Sequence, residues 1–566
     1  MFRRISVFLL ILSLFLLIFS APLVSRQQFA VTSSHHLASD AAVRVLRSGG
    51  NAADAAFTTA AVLSIVQPWF SSIMGGGTWG LYYEAASGRI RALDGVGPAA
   101  SGAVPEFFQD PENARRSGMH QAVVPGAWAG WMEWLKAYGR TPLDELLQPA
   151  IDLAEKGYPV YAEMAAWLER GEDDIRSWPY SREAYMPDGD LLRFGDTVRL
   201  PRMAQTLRDV QRVYRNNLRF GRQRALDAAN DHFYRGPIAR SIVDYSKAHG
   251  GLFEISDFSG FQTGLREPLL IDYRGIRVYQ NPPNSQGITM LLALNILEGY
   301  DFSGYSVDSP EAVHLQVEAL KIAHASKHRY VGDPLYEDIP LRRLLSEEYA
   351  RNARRLIRAD TALTWPFPRV IEELEESNTS TFSIVDREGN GAAVTTSLGA
   401  QFLVAGPSGV HINNRMRMFY YDRGFPNTVE PGKKVRHTSN PYIALRNGKL
   451  FILGGNTGVD TQPQGQVQQF ISLVEFGLSP QQAVSRPRFL TRAFPAGQWP
   501  FEADNELAME AGTPEALRRS MTARGHTLAS NGIWGNAQML VIDPDSGKIQ
   551  AGTDPREGVG KGVVEE

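Results

Sequence analysis

Apolar residues recur with helical spacing over most of the first part of the chain. The predicted helices cover residues 39–48, 52–66, 128–157, 203–214, 288–297 and 310–330. From Thr381 onward the pattern changes to short runs rich in β-branched residues, which are typical of strands. These runs cover residues 381–386, 391–397, 442–446, 450–453 and 539–542. The order of elements predicts two segments that share one α+β core.

Two glycine-rich segments interrupt this pattern. The first, from Gly75 to Gly80, follows a predicted helix and leads into a predicted strand at residues 81–84. A dinucleotide-binding fingerprint has similar glycine spacing, but it follows a strand and opens a helix. The order here favours a loop whose backbone closely approaches its neighbours. The second cluster, from Gly454 to Gly458, follows a predicted strand, and backbone amides in such a turn can stabilise an oxyanion.

The strands at residues 381–386 and 391–397 form a predicted hairpin. Their three-residue loop ends in Gly389, which takes the left-handed position of such turns. If Asp386 pairs with Asn390, the antiparallel register sets Thr379 opposite Ser397. Two hydroxyl groups then face each other at the open end of the hairpin.

That open end directly follows an acidic stretch at residues 372–378. A threonine is a weak nucleophile unless a base lies beside it, and cutting the chain before Thr379 would supply its own α-amine. The pattern therefore suggests a self-processing enzyme. The alternative is an ordinary hairpin whose Thr and Ser hydroxyls only satisfy local hydrogen bonds.

Composition narrows the classes of partner and site. The chain is 43% hydrophobic and 21% charged, as a folded protein is. A net charge of −3 provides no basic footprint, so nucleic acid is not an expected partner. Because there are no cysteines, disulfides and thiol catalysis are excluded.

His324 and His328 are four apart on a predicted helix that also carries His314, but no HExxH motif accompanies them. Packed or solvated histidines are favoured, and no metal or cofactor is expected.

Residues 1–26 predict a signal peptide or an N-terminal membrane anchor. Arg3 and Arg4 precede an uncharged, apolar stretch at residues 5–25, as in a secretion signal. The stretch is also long enough to span a bilayer, which takes about 20 residues. The basic N-terminal side predicts that the rest of the protein is exported, to the periplasm or another extracytoplasmic space. Any membrane contact would be made through this segment alone.

Ordered motifs resemble the γ-glutamyltranspeptidase family of N-terminal-nucleophile hydrolases, from about Ala30 to Arg556. The matching segments are residues 36–39, 49–55, 75–77, 124–126, 148–151, 281–283, 408–414 and 554–556. The resemblance implies a four-layer αββα sandwich and a proenzyme that cleaves itself between Asn378 and Thr379. Residues 27–378 would form the large subunit and residues 379–566 the small one. Both would associate in one catalytic domain.

The resemblance also implies roles for four residues. Thr379 would be the nucleophile, with its freed α-amine as the general base. Ser397 occurs where the family usually has a second threonine that hydrogen-bonds the nucleophile, so the hydroxyl is retained. Gly458 and Val459 occur where the family has two glycines whose backbone amides form the oxyanion hole. Backbone donors do not depend on the side chain.

The substrate pocket departs from the family pattern. An arginine that binds the substrate α-carboxylate, an asparagine, a pair that reads the α-amino group and a pair of serines are all replaced. The replacing residues are Val96, Gly399, Arg415 with Met418, and His437 with Thr438. A charged substrate group needs a matched ion pair to offset its desolvation. An arginine in place of a carboxylate would repel an α-amine.

The expected function is hydrolysis or transfer of an acyl group from a small-molecule amide or peptide, through an acyl-threonine intermediate. γ-Glutamyl compounds such as glutathione are the family default. The altered pocket favours another acyl amide. Residues 284–287 and 460–464 point the same way, since they are similar to a branch that includes oxamate amidohydrolase-like proteins. The acylases are a related alternative. A catalytically inactive homologue that acts as a binding protein is the third possibility.

Overall fold

The computed structural model describes residues 28–115, 117–365, 379–497, 501, 503–529, 535–556 and 558–566. The predicted signal or anchor at residues 1–26, the acidic stretch and Asn378 lie outside these ranges. Within the described ranges, no helix combines the length and the apolar character needed to cross a membrane.

The strands, in chain order, are β1 (Phe29–Ser33), β2 (Gly77–Glu84), β3 (Arg89–Gly95), β4 (Tyr158–Pro159), β5 (Thr197–Val198), β6 (Leu265–Arg266), β7 (Leu269–Tyr273), β8 (Ile276–Gln280), β9 (Ser380–Val385), β10 (Gly391–Ser397), β11 (Tyr442–Arg446), β12 (Lys449–Asn456), β13 (Phe489–Thr491), β14 (Glu506–Met509), β15 (Thr527–Ala529), β16 (Ala537–Ile542), β17 (Ile549–Thr553) and β18 (Lys561–Glu565).

The α-helices are α1 (His36–Arg47), α2 (Ala52–Val66), α3 (Pro105–Phe108), α4 (Pro111–Arg115), α5 (Ala127–Ala137), α6 (Leu143–Lys156), α7 (Ala162–Arg170), α8 (Glu172–Ser177), α9 (Pro179–Tyr185), α10 (Pro201–Asn217), α11 (Arg222–Tyr234), α12 (Pro237–Ala248), α13 (Ile255–Ser259), α14 (Ile288–Glu298), α15 (Pro310–Tyr330), α16 (Leu341–Leu344), α17 (Glu347–Arg354), α18 (Thr461–Val474), α19 (Pro480–Ser485) and α20 (Glu515–Ala523).

Two antiparallel sheets form the centre of the molecule. The first has the order β18-β1-β9-β10-β2-β3-β6, and the second has the order β17-β16-β12-β11-β8-β7. Each sheet contains strands from before and from after position 379, so neither part of the chain completes a sheet alone. The predicted α+β core shared by two segments is confirmed.

The hydrophobic clusters show four layers. Val385 and Ala393 of the first sheet pack with Leu453 and Leu540 of the second, in a core between the sheets. The outer face of the first sheet packs against helices that include α2, and the outer face of the second packs against α14, α15 and α18. Neighbouring residues on β9 and β10 alternate between these cores, because strand side chains alternate between faces. This is the expected αββα sandwich.

The β9–β10 hairpin has the predicted register. Thr381 pairs with Thr395, and Ser380 pairs with Thr396. The loop closes through a hydrogen bond from the Asp386 amide to the Asn390 carbonyl at 3.0 Å. Gly389 has a φ of +82°, the left-handed conformation that the turn requires.

The Asp386 side chain ties the hairpin to α2. Its Oδ2 accepts a hydrogen bond from the amide of Ala52, the first residue of that helix. Asn51 caps the same helix end through a capping box with Asp54. The whole of α2 is buried under the first sheet, which gives the hairpin a rigid support.

For the glycine segment at residues 75–80, the expected close approach of the backbone is present, but the expected start of the strand is wrong. Gly75 does lie in close contact, because a Cβ there would fall 1.8 Å from the carbonyl oxygen of His411. However, β2 begins at Gly77 rather than at Leu81, and Gly77 pairs with Ser397 of β10. Because Gly77 has no side chain, β2 can begin directly beside the predicted site.

Candidate active site

The open end of the hairpin brings two hydroxyl groups together. Thr379 Oγ1 lies 2.9 Å from Ser397 Oγ, and both residues are buried. Thr379 immediately precedes β9, and Ser397 ends β10, so the hairpin register alone accounts for the contact. A third polar group joins them: Gln462 Nε2 of α18 lies 3.5 Å from Thr379 Oγ1. In the sequence, Gln462 is part of the motif at residues 460–464, which by itself indicates no role for this side chain.

Arg415 reaches the same hydroxyl pair from a short 3₁₀ turn, Arg415–Met418. Its Nη2 donates to Ser397 Oγ at 2.5 Å, and its Nη1 lies 3.5 Å from the sulfur of Met418. The side chain is 1% exposed, and its Nε has no hydrogen-bond partner. Among the described residues it has no carboxylate partner. Burial lowers the pKa of Arg415 to about 9, so the guanidinium is still charged at neutral pH.

His437 provides a second unused donor near this cation. Its Nδ1 accepts a hydrogen bond from the Ser439 amide at 3.2 Å, which leaves the proton of the neutral ring on Nε2. Nε2 is buried and has no partner. Burial and the Arg415 cation lower the pKa of His437 well below its usual value, so the ring is neutral.

Val96 and His437 line the site beside Gly77. A Cβ placed on Gly77 would lie 3.0 Å from His437 Nε2 and 3.3 Å from Val96 Cγ2. Because Gly77 pairs with Ser397, these two side chains belong to the same site as the hydroxyl pair. Val96 is buried, and its methyl groups cannot bind a carboxylate.

Gly399 cannot be a substrate-binding side chain, and no larger residue would fit there. It has a φ of +109°, and a Cβ at this position would fall 1.8 Å from Asn414 Oδ1. Asn414 therefore fills the space of the replaced side chain. Sequence comparison by position missed Asn414, because it lies in another segment of the chain.

The remaining predicted pocket residues are buried. Met418 contributes its sulfur to the surroundings of Arg415. Thr438 has a buried hydroxyl without a hydrogen-bond partner, while its carbonyl accepts from Gln286 Nε2 at 2.8 Å. The structure thus brings Arg415, Met418 and His437 towards the hydroxyl pair.

The second glycine cluster ends in a turn with two available donors. Gly458 has a φ of +92°, and a Cβ there would collide with Thr461 Oγ1 at 2.0 Å. Among the described residues, the backbone N–H groups of Gly458 and Val459 find no acceptor. The turn directly precedes α18, whose first residues include Gln462. Two free N–H groups at a helix start are suited to a developing negative charge.

The chain matches the family model for gamma-glutamyltranspeptidase over residues 38–563. It belongs to the γ-glutamyltranspeptidase family. A glutathione hydrolase-like YwrD proenzyme of Bacillus subtilis is 32% identical over 94% of this chain and 98% of its own length. An acylase ACY 1 proenzyme of a Pseudomonas species is 31% identical over 91% of this chain and 90% of its own.

Among solved structures, a cephalosporin acylase from Bacillus halodurans matches with a TM-score of 0.83 and 30% identity. The match covers 96% of this chain and 98% of the acylase. Membership of the γ-glutamyltranspeptidase family makes this protein an enzyme of the hydrolase and transferase kind. The relatives' names are those of glutathione hydrolases and of acylases, so the family alone does not choose the substrate.

Three residues outside this candidate site are a possible ligand set for a metal ion. His314, Glu318 and His526 each offer one ligand atom within 4.8 Å of the others, and all are buried. His314 Nδ1 lies 2.8 Å from His526 Nε2, and Lys321 Nζ lies 2.8 Å from Glu318 Oε1. The site therefore already satisfies itself by internal hydrogen bonds and an ion pair. Sequence spacing alone could not show that His526 lies beside α15.

The other two histidines of α15 lie packed in the protein. The ring of His324 stacks on Phe494 with centroids 3.8 Å apart, and His328 Nδ1 lies 2.6 Å from the Tyr420 hydroxyl. Burial lowers the pKa of His328 to about 3, so this ring is neutral. Their spacing on the helix reflects packing.

The contact of Ser397 with both Thr379 and Arg415 leads to a prediction for this γ-glutamyltranspeptidase-family site. We expect Ser397→Ala to lower kcat about tenfold, because a hydrogen bond to Thr379, the predicted nucleophile, and one to a charged donor are lost. Ser397→Thr keeps the hydroxyl and should retain most of the activity. Steady-state kinetics of the two purified, processed variants measure this. Equal rates for the alanine variant and the parent would contradict a role for the hydroxyl.

Proposed function

We propose that this protein is a self-processing amide hydrolase or acyltransferase with Thr379 as its nucleophile. Its preferred acyl group carries a carboxylate but no α-amino group. The observation that carries the proposal is Arg415, a buried cation that has no carboxylate partner among the described residues and that touches Ser397, the hydrogen-bond partner of Thr379. We place the activity outside the cytoplasm, as the apolar stretch at residues 5–25 predicts.

Maturation supplies the catalytic base. In the precursor, Thr379 Oγ1 attacks the carbonyl carbon of Asn378, and the peptide C–N bond breaks as an ester forms. That break leaves the α-amine of Thr379 free, and water then hydrolyses the ester, which frees the hydroxyl of Thr379 and leaves a carboxyl group on Asn378. The free α-amine has an ordinary pKa of about 7.7–8.0, which suits a base near neutral pH.

Turnover uses the same oxygen. The α-amine takes the hydroxyl proton while Thr379 Oγ1 attacks the substrate amide. The N–H groups of Gly458 and Val459 stabilise the oxyanion of the tetrahedral intermediate. The leaving amine takes a proton as the C–N bond breaks and an acyl-threonine ester remains. Water, or an acceptor amine, attacks this ester and releases the acyl group.

The site is suited to an acidic acyl group. An unpaired buried cation is unfavourable unless an anion joins it, so the binding of a carboxylate to Arg415 would offset its desolvation. His437 Nε2 offers a second, uncharged donor to the same anion. Only two hydrogen bonds connect the guanidinium to the nucleophile's oxygen, so the carboxylate lies within a few bonds of the scissile carbonyl. Half-amides of short dicarboxylic acids fit this description.

A γ-glutamyl group fits less well. Its α-amine needs a carboxylate, whereas the positions that correspond to the family's amine-reading pair hold Arg415 and Met418. Val96 supplies no charge for the α-carboxylate. The names of the acylase relatives agree with a different acyl group.

Two anilides that differ only by the α-amine test this proposal. Glutaryl p-nitroanilide should be cleaved with a kcat/KM at least about tenfold higher than γ-glutamyl p-nitroanilide, because an ammonium beside Arg415 is repelled. Release of nitroaniline by the purified, processed protein measures both rates, and fractionation of the producing cells tests export. Oxalyl, malonyl and succinyl anilides then define the preferred length. Faster cleavage of the γ-glutamyl compound would overturn the proposed specificity.

A further inference from the structure

The oxyanion turn is held from behind by a buried lysine. Lys327 lies on α15, and its side chain is fully buried. Its Nζ forms an ion pair with Asp460 Oδ1 and lies 3.4 Å from Gln286 Oε1. Asp460 directly follows the turn that carries the free N–H groups of Gly458 and Val459. One cation thus contacts both an acid and an amide beside the turn.

Gln286 extends this contact to both sides of the site. Because its Oε1 faces Lys327, its Nε2 is free to donate, and it reaches the carbonyls of Val459 and Thr438, each at 2.8 Å. The backbone N–H of Gln286 also donates to the backbone carbonyl of His437 at 2.9 Å. The same side chain therefore connects the oxyanion turn to the segment that carries the His437 donor.

Among the described residues, Lys327 has one carboxylate partner, Asp460. A like charge is also near, because Arg436 Nη1 donates to the Lys327 carbonyl at 3.5 Å. His324 lies 4.0 Å from the same Asp460 oxygen but is neutral, because burial holds its pKa far below the usual value. The ring of Phe494 lies 5.6 Å from Nζ, and His328 on the same helix is also neutral.

We infer that Lys327 is a positioning residue that keeps the Gly458–Val459 turn in its working geometry through Asp460 and Gln286. This inference rests on the proposed function, since it assumes that the turn stabilises the oxyanion. Lys327 touches no reacting atom. It acts on the turn by orienting the Asp460 carboxylate and by selecting the orientation of the Gln286 amide.

The charge of Lys327 is sensitive to pH in the range where the enzyme would work. Burial lowers the pKa of Lys327 to about 8, against the opposing effect of Asp460. The ammonium is therefore present below about pH 8 and is lost as the pH rises through that value. Loss of the proton removes the ion pair to Asp460. We expect kcat at saturating substrate to fall on the alkaline side of about pH 8.

The pH profiles of three variants test the inference. Lys327→Arg keeps a charge and should shift the alkaline fall of kcat to higher pH. Lys327→Met should lower kcat about tenfold to a hundredfold with little change in KM, because misplaced oxyanion donors affect the transition state more than substrate binding. It should also lose the alkaline fall. Asp460→Asn should resemble Lys327→Met, and the double variant should be no worse than either one.

The outcomes separate this inference from the proposed function. If the parent protein is not processed or cleaves no amide, the proposed function fails. If the parent is active but its kcat does not fall above about pH 8, the inference fails. It also fails if Lys327→Met retains the parent's kcat, or if the losses of Lys327→Met and Asp460→Asn add. Melting temperature and the two-band pattern on a gel show that each variant folds and processes, and Asp460→Asn serves if Lys327→Met does not.

Discussion

Replacing Thr379 by alanine is expected to leave the chain uncut and to lower amide hydrolysis by about 10⁴-fold or more. The variant lacks the oxygen proposed to attack the Asn378 carbonyl, so no ester should form and no new N-terminus should be released. It also lacks the proposed nucleophile for the substrate. A denaturing gel should show one full-length band, whereas the parent protein should show two bands, with the smaller one beginning at Thr379.

Thr379→Ser is the matched control for this experiment. It keeps the hydroxyl beside Ser397 and should still cleave itself, though more slowly, because the methyl group that orients the oxygen is missing. N-terminal sequencing of the small fragment identifies the cut. A parent protein that stays as a single band after long incubation would contradict the enzyme proposal. That result would favour the inactive binding protein.

Replacing Arg415 by methionine is expected to lower kcat/KM for glutaryl p-nitroanilide by about a hundredfold. The estimate corresponds to the loss of a charge-assisted hydrogen bond to a substrate carboxylate in a buried site, about 3 kcal/mol. For an uncharged acyl anilide such as butyryl p-nitroanilide, the loss should be much smaller. The ratio of the two rates is the decisive measurement, because it removes any general effect on the nucleophile.

Arg417→Met is the matched control, since it removes the same side chain two residues along the same 3₁₀ turn. Arg417 is half-buried, and the hydrogen bonds described for the Ser397 hydroxyl go to Thr379 and Arg415, so replacing Arg417 should leave the substrate ratio unchanged. If Arg415→Met lowers kcat/KM equally for both anilides, Arg415 only supports Thr379 through Ser397. The proposed carboxylate specificity would then be wrong. Self-cleavage of both variants should persist.

Much of the fold was accessible from the sequence because it depends on local interactions. The predicted helix at residues 52–66 matches α2, whose apolar residues lie within the helix and whose capping box joins Asp54 to Asn51, the residue directly before it. The β9–β10 register followed from a loop length and a glycine. The start of β2 was misplaced, because glycines in a strand look like a loop until a neighbouring strand is known to lie against them.

The candidate site was accessible only in part. Thr379 and Ser397 belong to one hairpin, so their contact could be predicted. Two other contacts could not be predicted, because each joins segments distant in the chain. The Asn414 side chain fills the space beside Gly399, and Gln462 contacts Thr379. The same holds for Lys327 of α15 and Asp460, the residue before α18, which lie on opposite sides of position 379 in the chain.

The sequence by itself determined the hairpin and its facing hydroxyls, since turn length and alternating side chains specify which residues oppose each other. Only the tertiary structure decided what surrounds them. Among the described residues, Arg415 touches Ser397 and has no carboxylate partner, and Lys327 forms an ion pair with Asp460 beside the Gly458–Val459 turn. Such relations arise from the packing of whole sheets and helices. Burial then turns ordinary cations into groups that need a partner, and no local pattern of residues records that burial.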